Sequence, residues 1–286
     1  MEAKKASDFV LVTGVSTGIG NAIMHSLLKR GYKVIGTVRS EKDREKIKAE
    51  AKTNCYPILV DVTNEEGVKS SVKEVEDILG GKGLAGLINN AGVAVGGPLA
   101  EMPMSEIRMH FEVNVFGLLT ITRAYLPLLG ARENHTSLPG RLVNISSIGG
   151  DLAAPFLGAY TGTKFAVEGI SQTLRRELLL YGIDVIVIAP GNVVTPIWDK
   201  GVKPEPYRNS PYYPYIKKFT DYVLSDYPKG YTSEEMGEFI AKAFIAGKPK
   251  ARYVFAKDAL LKYFLPKMLP VRLVDWAIGK QVGFIK

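Results

Sequence analysis

Apolar, β-branched runs alternate with amphipathic or charged segments along most of this chain, and that alternation narrows the possible folds more than any other feature. FVLVTG (9–14), YKVIGTVR (32–39), YPILVDV (56–62), LAGLINNAG (84–92), GRLVNISS (140–147) and IDVIVIAPG (183–191) read as buried strands. The segments 19–31, 41–52, 64–79, 104–130 and 158–181 between them read as helices, the first closed by Gly31. Strands separated by helices pair in parallel, with helices covering both faces of the sheet. The expected fold is therefore α/β, a doubly wound parallel sheet in a single domain with a C-terminal extension. The domain is expected over 1–256, ending with a helix near 233–246 and a short strand, ARYVFA (251–256); the extension covers 257–286. Residues 192–232 interrupt the alternation. They are rich in Pro and Tyr and follow a strand's carboxyl end, so they read as a lid or binding element.

Composition removes several function classes. A single cysteine, Cys55, cannot form an internal disulfide framework or a cysteine-based metal cluster. His25, His110 and His135 lack ligand spacing, so no metal is expected. No apolar run precedes the first strand and none approaches ~18 residues, so neither a signal peptide nor a membrane-spanning helix is expected. A cytoplasmic location is the default expectation. The net charge is +8, and from Lys248 onward nine basic residues face two acids, so the basic character belongs to the tail. The main domain carries no basic stripe or nucleic-acid motif, and no nucleic-acid partner is expected. The tripeptides Asn134-His135-Thr136 and Asn144-Ile145-Ser146 match a glycosylation pattern in form only.

TGVSTGIG (13–20) joins the first strand to the first helix. As a phosphate loop, Gly14 permits the tight turn, Gly18 lets the backbone approach a pyrophosphate, and Gly20 allows close helix–strand packing. The same letters contain G-x-S-x-G, a hydrolase nucleophile elbow, at Gly14 to Gly18. That reading requires a later acid and then a later histidine. The last histidine, His135, precedes the final strands, and no HGGG-type segment precedes the elbow. The phosphate reading is preferred.

AYTGTKFAVEGI (159–170) places Tyr160 four residues before Lys164, on one helix face, among small residues. Spacing alone favours an ordinary surface Tyr with a snorkelling Lys. Its setting decides otherwise. TGVSTGIG, Asp61-Val62, NNAG (89–92), Asn114 in VNVFG, Ser147 closing NISS, YTGTK (160–164) and PGNVVT (190–195) follow one another, each at an expected strand end. In this order, and with Ser147 13 residues before Tyr160, the chain resembles the short-chain dehydrogenase/reductase family over about residues 8–197.

The resemblance implies a Rossmann-type domain and hydride transfer between a nicotinamide and an alcohol/ketone pair. It implies that Tyr160 is the general acid/base, and that Lys164 lowers the phenol's pKa and binds the ribose. Ser147 would hold the substrate oxygen, and Asn114 would anchor a water relaying protons to Lys164. A free phenol titrates near ~10, so a neighbouring cation would bring it toward working pH. The plainer roles are that Asn114 fills a mid-helix backbone gap and that Ser147 ends a strand. Cofactor contacts are implied for Gly14, Ser16, Thr17, Gly18 and Ile19, for Arg39, and for Asp61 and Val62, with Asp61 bonding the adenine amino group. They are implied also for Asn90, Ala91 and Gly92, for Tyr160 and Lys164, and for Pro190, Gly191, Val193 and Thr195, the last touching the carboxamide. Asn89 and the Ala91-Gly92 pair serve the sheet at least as readily as the adenosine side.

The second strand ends GTVRS, with Val38 where an acid would accept the ribose 2′-OH and with Arg39 next to it. A guanidinium without an acid suits a 2′-phosphate, so NADP(H) is favoured over NAD(H); the alternative is that Arg39 stacks on adenine. Thr17 stands where relatives place a second basic residue. The aromatic, sparsely charged lid suggests a small hydrophobic alcohol or ketone, steroid-, retinoid- or lipid-like, with Ile197 and Trp198 as pocket walls; packing within the lid is the alternative use of its tyrosines. LLKYFLPKMLPVRLVDWAIGK (260–280) mixes large apolar residues with spaced cations. It resembles the extensions of retinol-, steroid- and hydroxybutyrate-dehydrogenase-like members. It could lie on a membrane surface, cap the cleft or form a subunit contact, and Pro266 and Pro270 would break it into short pieces. A homodimer or homotetramer is expected from the resemblance, pairing the helices of Asn114 and Tyr160. A non-catalytic nucleotide sensor on the same fold is the competing class. Loss of Tyr or Lys would mark it, and both are present.

Overall fold

A computed structural model describes residues 7–51, 53–133, 138–196, 201 and 203–285. Seven strands form one parallel sheet: β1 (Phe9–Val12), β2 (Lys33–Val38), β3 (Cys55–Leu59), β4 (Gly86–Asn89), β5 (Arg141–Ile145), β6 (Asp184–Pro190) and β9 (Arg252–Phe255). Their order is β3-β2-β1-β4-β5-β6-β9. Two short strands, β7 (Val193–Val194) and β8 (Tyr231–Thr232), pair separately. The helices α1 (Gly18–Leu28), α2 (Glu41–Ala51), α3 (Glu65–Leu79), α4 (Met104–Phe111), α5 (Leu118–Leu129), α6 (Gly158–Glu177) and α8 (Ser233–Ile245) alternate with the strands. The lid holds α7 (Tyr213–Asp226), and the extension holds α9 (Leu265–Met268) and α10 (Val271–Val282). The doubly wound α/β expectation is met.

The apolar runs explain the sheet's double burial. Successive side chains of a strand point to opposite faces. Val10 and Val12 accordingly pack with Ile23, Leu27, Ile186 and Phe244 on one side. Leu11 packs with Ile35, Val75, Ile121 and Tyr125 on the other. Local signals set several helix ends. Asn64 caps α3 by accepting from Gly67 N–H (3.0 Å), and Gly80 ends it at φ +57°. Thr232 and Glu235 form a capping box on α8.

Three departures from the sequence reading bear on the site. The helix expected over 104–130 runs through a π-turn at Glu112–Gly117, between α4 and α5. The lid is not all loop: α7 buries Ile216 and Phe219 against Phe156 and against Val282 of α10. Pro214 and the tyrosines mask that helical period in the sequence. The extension begins with a further π-turn at Leu260–Phe264 and is broken before α10 at Pro270, as expected; Pro266, also expected to break it, instead lies in the first turn of α9, which continues that π-turn.

The chain runs outward from β1 to β3, then crosses back to β4 on the other side of β1. Such a reversal opens a crevice at the strands' carboxyl ends. The loops carrying the sequence motifs converge there.

Candidate active site

The loop after β1 is built around buried Thr13. Its hydroxyl accepts the N–H groups of Asn90 and Ala91, both at 2.9 Å. The Asn90 amide donates back to the carbonyls of Thr13 (2.9 Å) and Gly14 (3.2 Å). Gly14 (φ +71°) and Gly18 (φ +59°) adopt left-handed backbone. A Cβ on Gly20 would lie 2.1 Å from the Gly14 carbonyl oxygen and 2.4 Å from Asn90 Nδ2. Gly20 on α1 therefore packs directly against the backbone just after β1, where no side chain would fit. Thr17 precedes α1 in extended backbone, its side chain makes no capping bond, and the first turn of α1 carries no acid. That helix N-terminus favours an anion. A Cβ on Gly18 would lie 3.5 Å from Thr195, so the segment after β7 closes over the loop. Ile19 packs against the core. Ser16 offers its carbonyl to Lys46 Nζ (3.2 Å).

Among the described residues, His110 is no base for the elbow alternative. His110 accepts Val95 N–H at Nε2 (2.9 Å) and directs Nδ1 to the Glu106 carbonyl (2.7 Å). His135 lies outside the described residues, as do the Asn134 tripeptide and the wall residues Ile197 and Trp198. Asn144 is fully buried and donates to Ser171 Oγ (2.9 Å), which rules out its tripeptide as a surface acceptor.

Val38 is buried and Arg39 is exposed at the end of β2. Asp61 is exposed, and one oxygen accepts both Thr63 N–H (2.9 Å) and Thr63 Oγ1–H (2.8 Å). Val62 packs beneath it, 2.7 Å from where a Cβ on Gly117 would fall. Asn89 is structural: its amide joins Thr122 Oγ1 (2.8 Å) and Asn144 Oδ1 (2.9 Å) in the sheet's interior. A Cβ on Gly92 would lie 3.2 Å from Asn114 Oδ1 and 3.9 Å from Lys164 Nζ, so those two groups face each other across Gly92. Pro190 is buried at the end of β6, and Gly191 N–H donates to Phe255 (3.0 Å). Val193 is buried in β7.

The π-turn aims Asn114 at the loop after β4. Its Oδ1 accepts Val93 N–H (2.8 Å), and its Nδ2 donates to the Val93 carbonyl (2.9 Å) and to Thr163 Oγ1 (3.0 Å). The side chain thus clamps that loop to α6, and it does more than fill a backbone gap. Ser147 sits in extended backbone after β5, its Oγ accepting Gly149 N–H (3.0 Å). Tyr160 and Lys164 share one face of α6, with Lys164 Nζ 5.7 Å from the phenol ring's centre. Lys164 is 6% exposed and donates to the Ile145 carbonyl (2.9 Å).

The small neighbours have separate reasons. Thr163 bonds Asn114, and Thr161 packs where a Cβ on Gly149 would come within 3.3 Å. A Cβ on Gly162 would meet Phe111 of α4 at 3.9 Å, an ordinary contact.

Burial pushes the Tyr160 phenol above its ordinary pKa, and a hydrogen bond with Ser147 pulls the other way. Burial pushes the Lys164 ammonium down to about 8, and the Glu168 carboxylate opposes that shift. The lowering of Tyr160 by Lys164 expected from the sequence is not present in the protein alone. The ammonium points at the Ile145 carbonyl, and burial sets the direction of the phenol's shift. Sequence reasoning missed Lys46 and Glu168. Lys46 comes from α2, and only the folded helix brings it to the first loop. Glu168 was legible as a second residue at i+4 from Lys164.

The arrangement unites a phenol, a hydroxyl and a buried ammonium at one end of a crevice, with an anion-favouring helix terminus at the other. A helix N-terminus behind a glycine-rich loop suits a phosphate-bearing ligand. A family profile described as short chain dehydrogenase matches residues 8–205. The "NADPH-dependent 3-dehydrocapnine reductase" of Ornithobacterium rhinotracheale is 37% identical over 93% of this chain and 94% of its own. Human "Dehydrogenase/reductase SDR family member 9" is 33% identical over 96% and 88%. A crystal structure of a short-chain dehydrogenase from Streptomyces avermitilis superposes with a TM-score of 0.77 at 29% identity, covering 97% of this chain and 98% of that one. With that geometry and these relatives, the chain belongs to the short-chain dehydrogenase/reductase family and is a nicotinamide-nucleotide-dependent oxidoreductase.

Proposed function

We propose that this protein interconverts a hydrophobic ketone and alcohol with NADP(H), using Tyr160 as the general acid/base. The observation that carries this reading is the convergence of Tyr160, Ser147 and Lys164 beside the crevice at the carboxyl ends of the strands. The bound nicotinamide supplies or accepts the hydride. In reduction, Tyr160 gives its proton to the substrate oxygen as the carbonyl carbon gains the hydride, leaving an alcohol and a phenolate. Ser147 holds that oxygen and favours the charge that develops on it. The Lys164 ammonium favours the phenolate and bonds the ribose. The second lone pair of Asn114 Oδ1 accepts from a water that links the solvent to Lys164. Gly14, Ser16, Thr17, Gly18 and Ile19 hold the pyrophosphate, and Asp61, Val62, Asn90, Ala91 and Gly92 hold the adenosine side. Pro190, Gly191, Val193 and Thr195 border the nicotinamide.

NADP(H) is supported by the exposed Arg39 beside an acid-free Val38 and by the Lys46 ammonium at the Ser16 carbonyl. It is supported also by the name of the 37% identical relative. A hydrophobic substrate is supported by a cavity of about 270 Å³ between residues 152–155, α7 and α10, lined by Leu152, Phe219, Tyr222, Ile278 and Val282 with Lys218 at its edge. Exposed Phe116 and Phe165, on the π-turn with Asn114 and on α6 with Tyr160, support self-association through those helices. Exposed apolar residues along the extension support contact with a membrane surface.

The test is turnover of apolar ketones, followed by loss of reduced-nicotinamide absorbance with NADPH and with NADH. NADPH is expected to be the better donor, and Tyr160→Phe to lower kcat by about 10²–10⁴-fold with NADPH binding retained. Full activity in Tyr160→Phe overturns the catalytic assignment, and equal use of NADH overturns the cofactor assignment.

A further inference from the structure

A partly buried polar network lies behind the proposed proton-transfer site and joins it to the C-terminal extension. Glu168 is one turn beyond Lys164 on the same face of α6 and is 8% exposed. Arg252, on edge strand β9, grips both of its oxygens through Nε, at 3.1 and 3.0 Å. Arg252 Nη1 also donates to Tyr263 Oη (2.7 Å), and Tyr263 in turn donates to Asp151 Oδ2 (2.7 Å). Tyr263 belongs to the extension and is 1% exposed. Lys267, one turn further along, pairs with the same Asp151 oxygen. Two cations thus meet two carboxylates around one phenol hydroxyl.

The network also touches the serine side of the site. Asp151 is four residues after Ser147. A Cβ on Gly150 would lie 2.6 Å from Ser146 Oγ, 3.0 Å from Glu168 Cγ and 3.1 Å from the Lys164 carbonyl oxygen. The loop behind Ser147 is therefore pressed directly onto the stretch of helix between Lys164 and Glu168. A displacement of Glu168 would reach both Lys164 and Ser147.

We propose that Glu168 is a positioning residue for the Lys164 ammonium, and that Arg252, Asp151 and the extension's Tyr263 hold it in place. The extension thereby braces the catalytic helix. This proposal rests on the reading of Lys164 given above. The groups around the Lys164 ammonium are Tyr160 and, one turn on, Glu168 from its own helix, the Ile145 carbonyl at the end of β5, and the Asn114 amide across Gly92. Of these, Glu168 alone contributes a carboxylate. A nearby carboxylate favours the protonated amine. Replacing it by a neutral amide, with Arg252 left in place, makes Lys164 lose its proton at lower pH.

The experiment compares wild type, Glu168→Gln and Glu168→Asp in the full-length protein. The first readout is the pH profile of kcat/KM. The second needs no turnover: the pH dependence of Lys164 labelling by an amine reagent, read by peptide mass spectrometry. Glu168→Gln is expected to move both the alkaline limb and the Lys164 titration down by roughly one pH unit. Glu168→Asp, which keeps the charge, is expected to restore most of the difference. If Glu168→Gln does not fold, the charge-free pair Glu168→Gln with Arg252→Met replaces it, with a smaller shift of the same sign expected. Unchanged limb and titration in a folded variant overturn the proposal. Lys164→Met separates the two levels: if it retains turnover, the reading of Lys164 fails, whereas lost turnover with no Glu168 effect refutes only the bracing role.

Discussion

Burying Lys164 costs stability, and the cost depends on pH in a defined direction. The folded ammonium titrates at about 8, against an ordinary value of about 10.5. Below pH 8 both folded and unfolded chains carry the proton, and the full desolvation penalty applies. Between those values the unfolded state binds more protons, so stability rises with pH. The shift corresponds to about 3 kcal/mol. In urea unfolding, wild type is expected to gain on Lys164→Met by a large part of that amount between pH 8 and 10, with little change between pH 6 and 7.5. A stability difference that stays flat across the alkaline range contradicts the burial of a charged amine. At this scale the sequence was a good guide to which side chains meet. Ser147, Tyr160 and Lys164 were legible because their spacing along strand end and helix fixes their neighbourhood. Their electrostatics were not legible. The rise of Tyr160 comes from burial, and the partner that steadies Glu168 of α6 is Arg252, 84 positions away on strand β9.

Among the elements, the strands were readable because double burial leaves an unbroken apolar run, and α1 and α3 because caps and glycines mark their ends. The π-turn at Asn114 leaves no such mark: it adds a residue to a helical turn without changing composition. The lid helix α7 was hidden by an aromatic sequence with Pro214 in its first turn. A tighter demand falls on α1 and α8, which cross at Ala22 and Gly237. A Cβ on Gly237 would lie 2.5 Å from the Ala22 carbonyl carbon and 2.6 Å from its oxygen. Backbone cannot step aside as a flexible side chain can. Gly237→Ala forces the helices apart despite alanine's better helix propensity, and overpacking of this kind costs about 1–3 kcal/mol. Chemical denaturation should show that loss. Because α1 presents its N-terminus to the crevice, NADPH affinity should fall with it. A variant as stable as wild type would mean that the close approach is slack.

For the whole molecule, the extension combines an anchored inner edge with an uncovered outer one. Tyr263 and Val282 are buried, tying its two ends to β9 and to the lid. Just before and between them Leu260 (74% exposed), Leu261, Met268 (82%), Val271, Leu273 and Trp276 face outward. Apolar side chains in that number on one short segment mark an interaction surface. Lys262 and Lys267 use their charge on Asp226 and Asp151, while Arg272 lies next to Val271 on α10. The tail's positive balance and its exposed leucines together suit an anionic lipid surface. Trp276, 52% exposed, is placed to report contact. Vesicles containing phosphatidylglycerol are expected to bind the protein and shift its tryptophan emission to the blue. Added salt should weaken that binding, because the electrostatic part is screened within about 10 Å at 0.1 M. Leu260→Ser with Leu261→Ser and Met268→Ser should abolish the shift and leave turnover of a water-soluble ketone intact, since none of the three joins the Tyr263 network. If the protein ignores anionic vesicles yet self-associates in a manner those same substitutions reverse, the outer face of the extension is a subunit contact and the lipid reading is wrong.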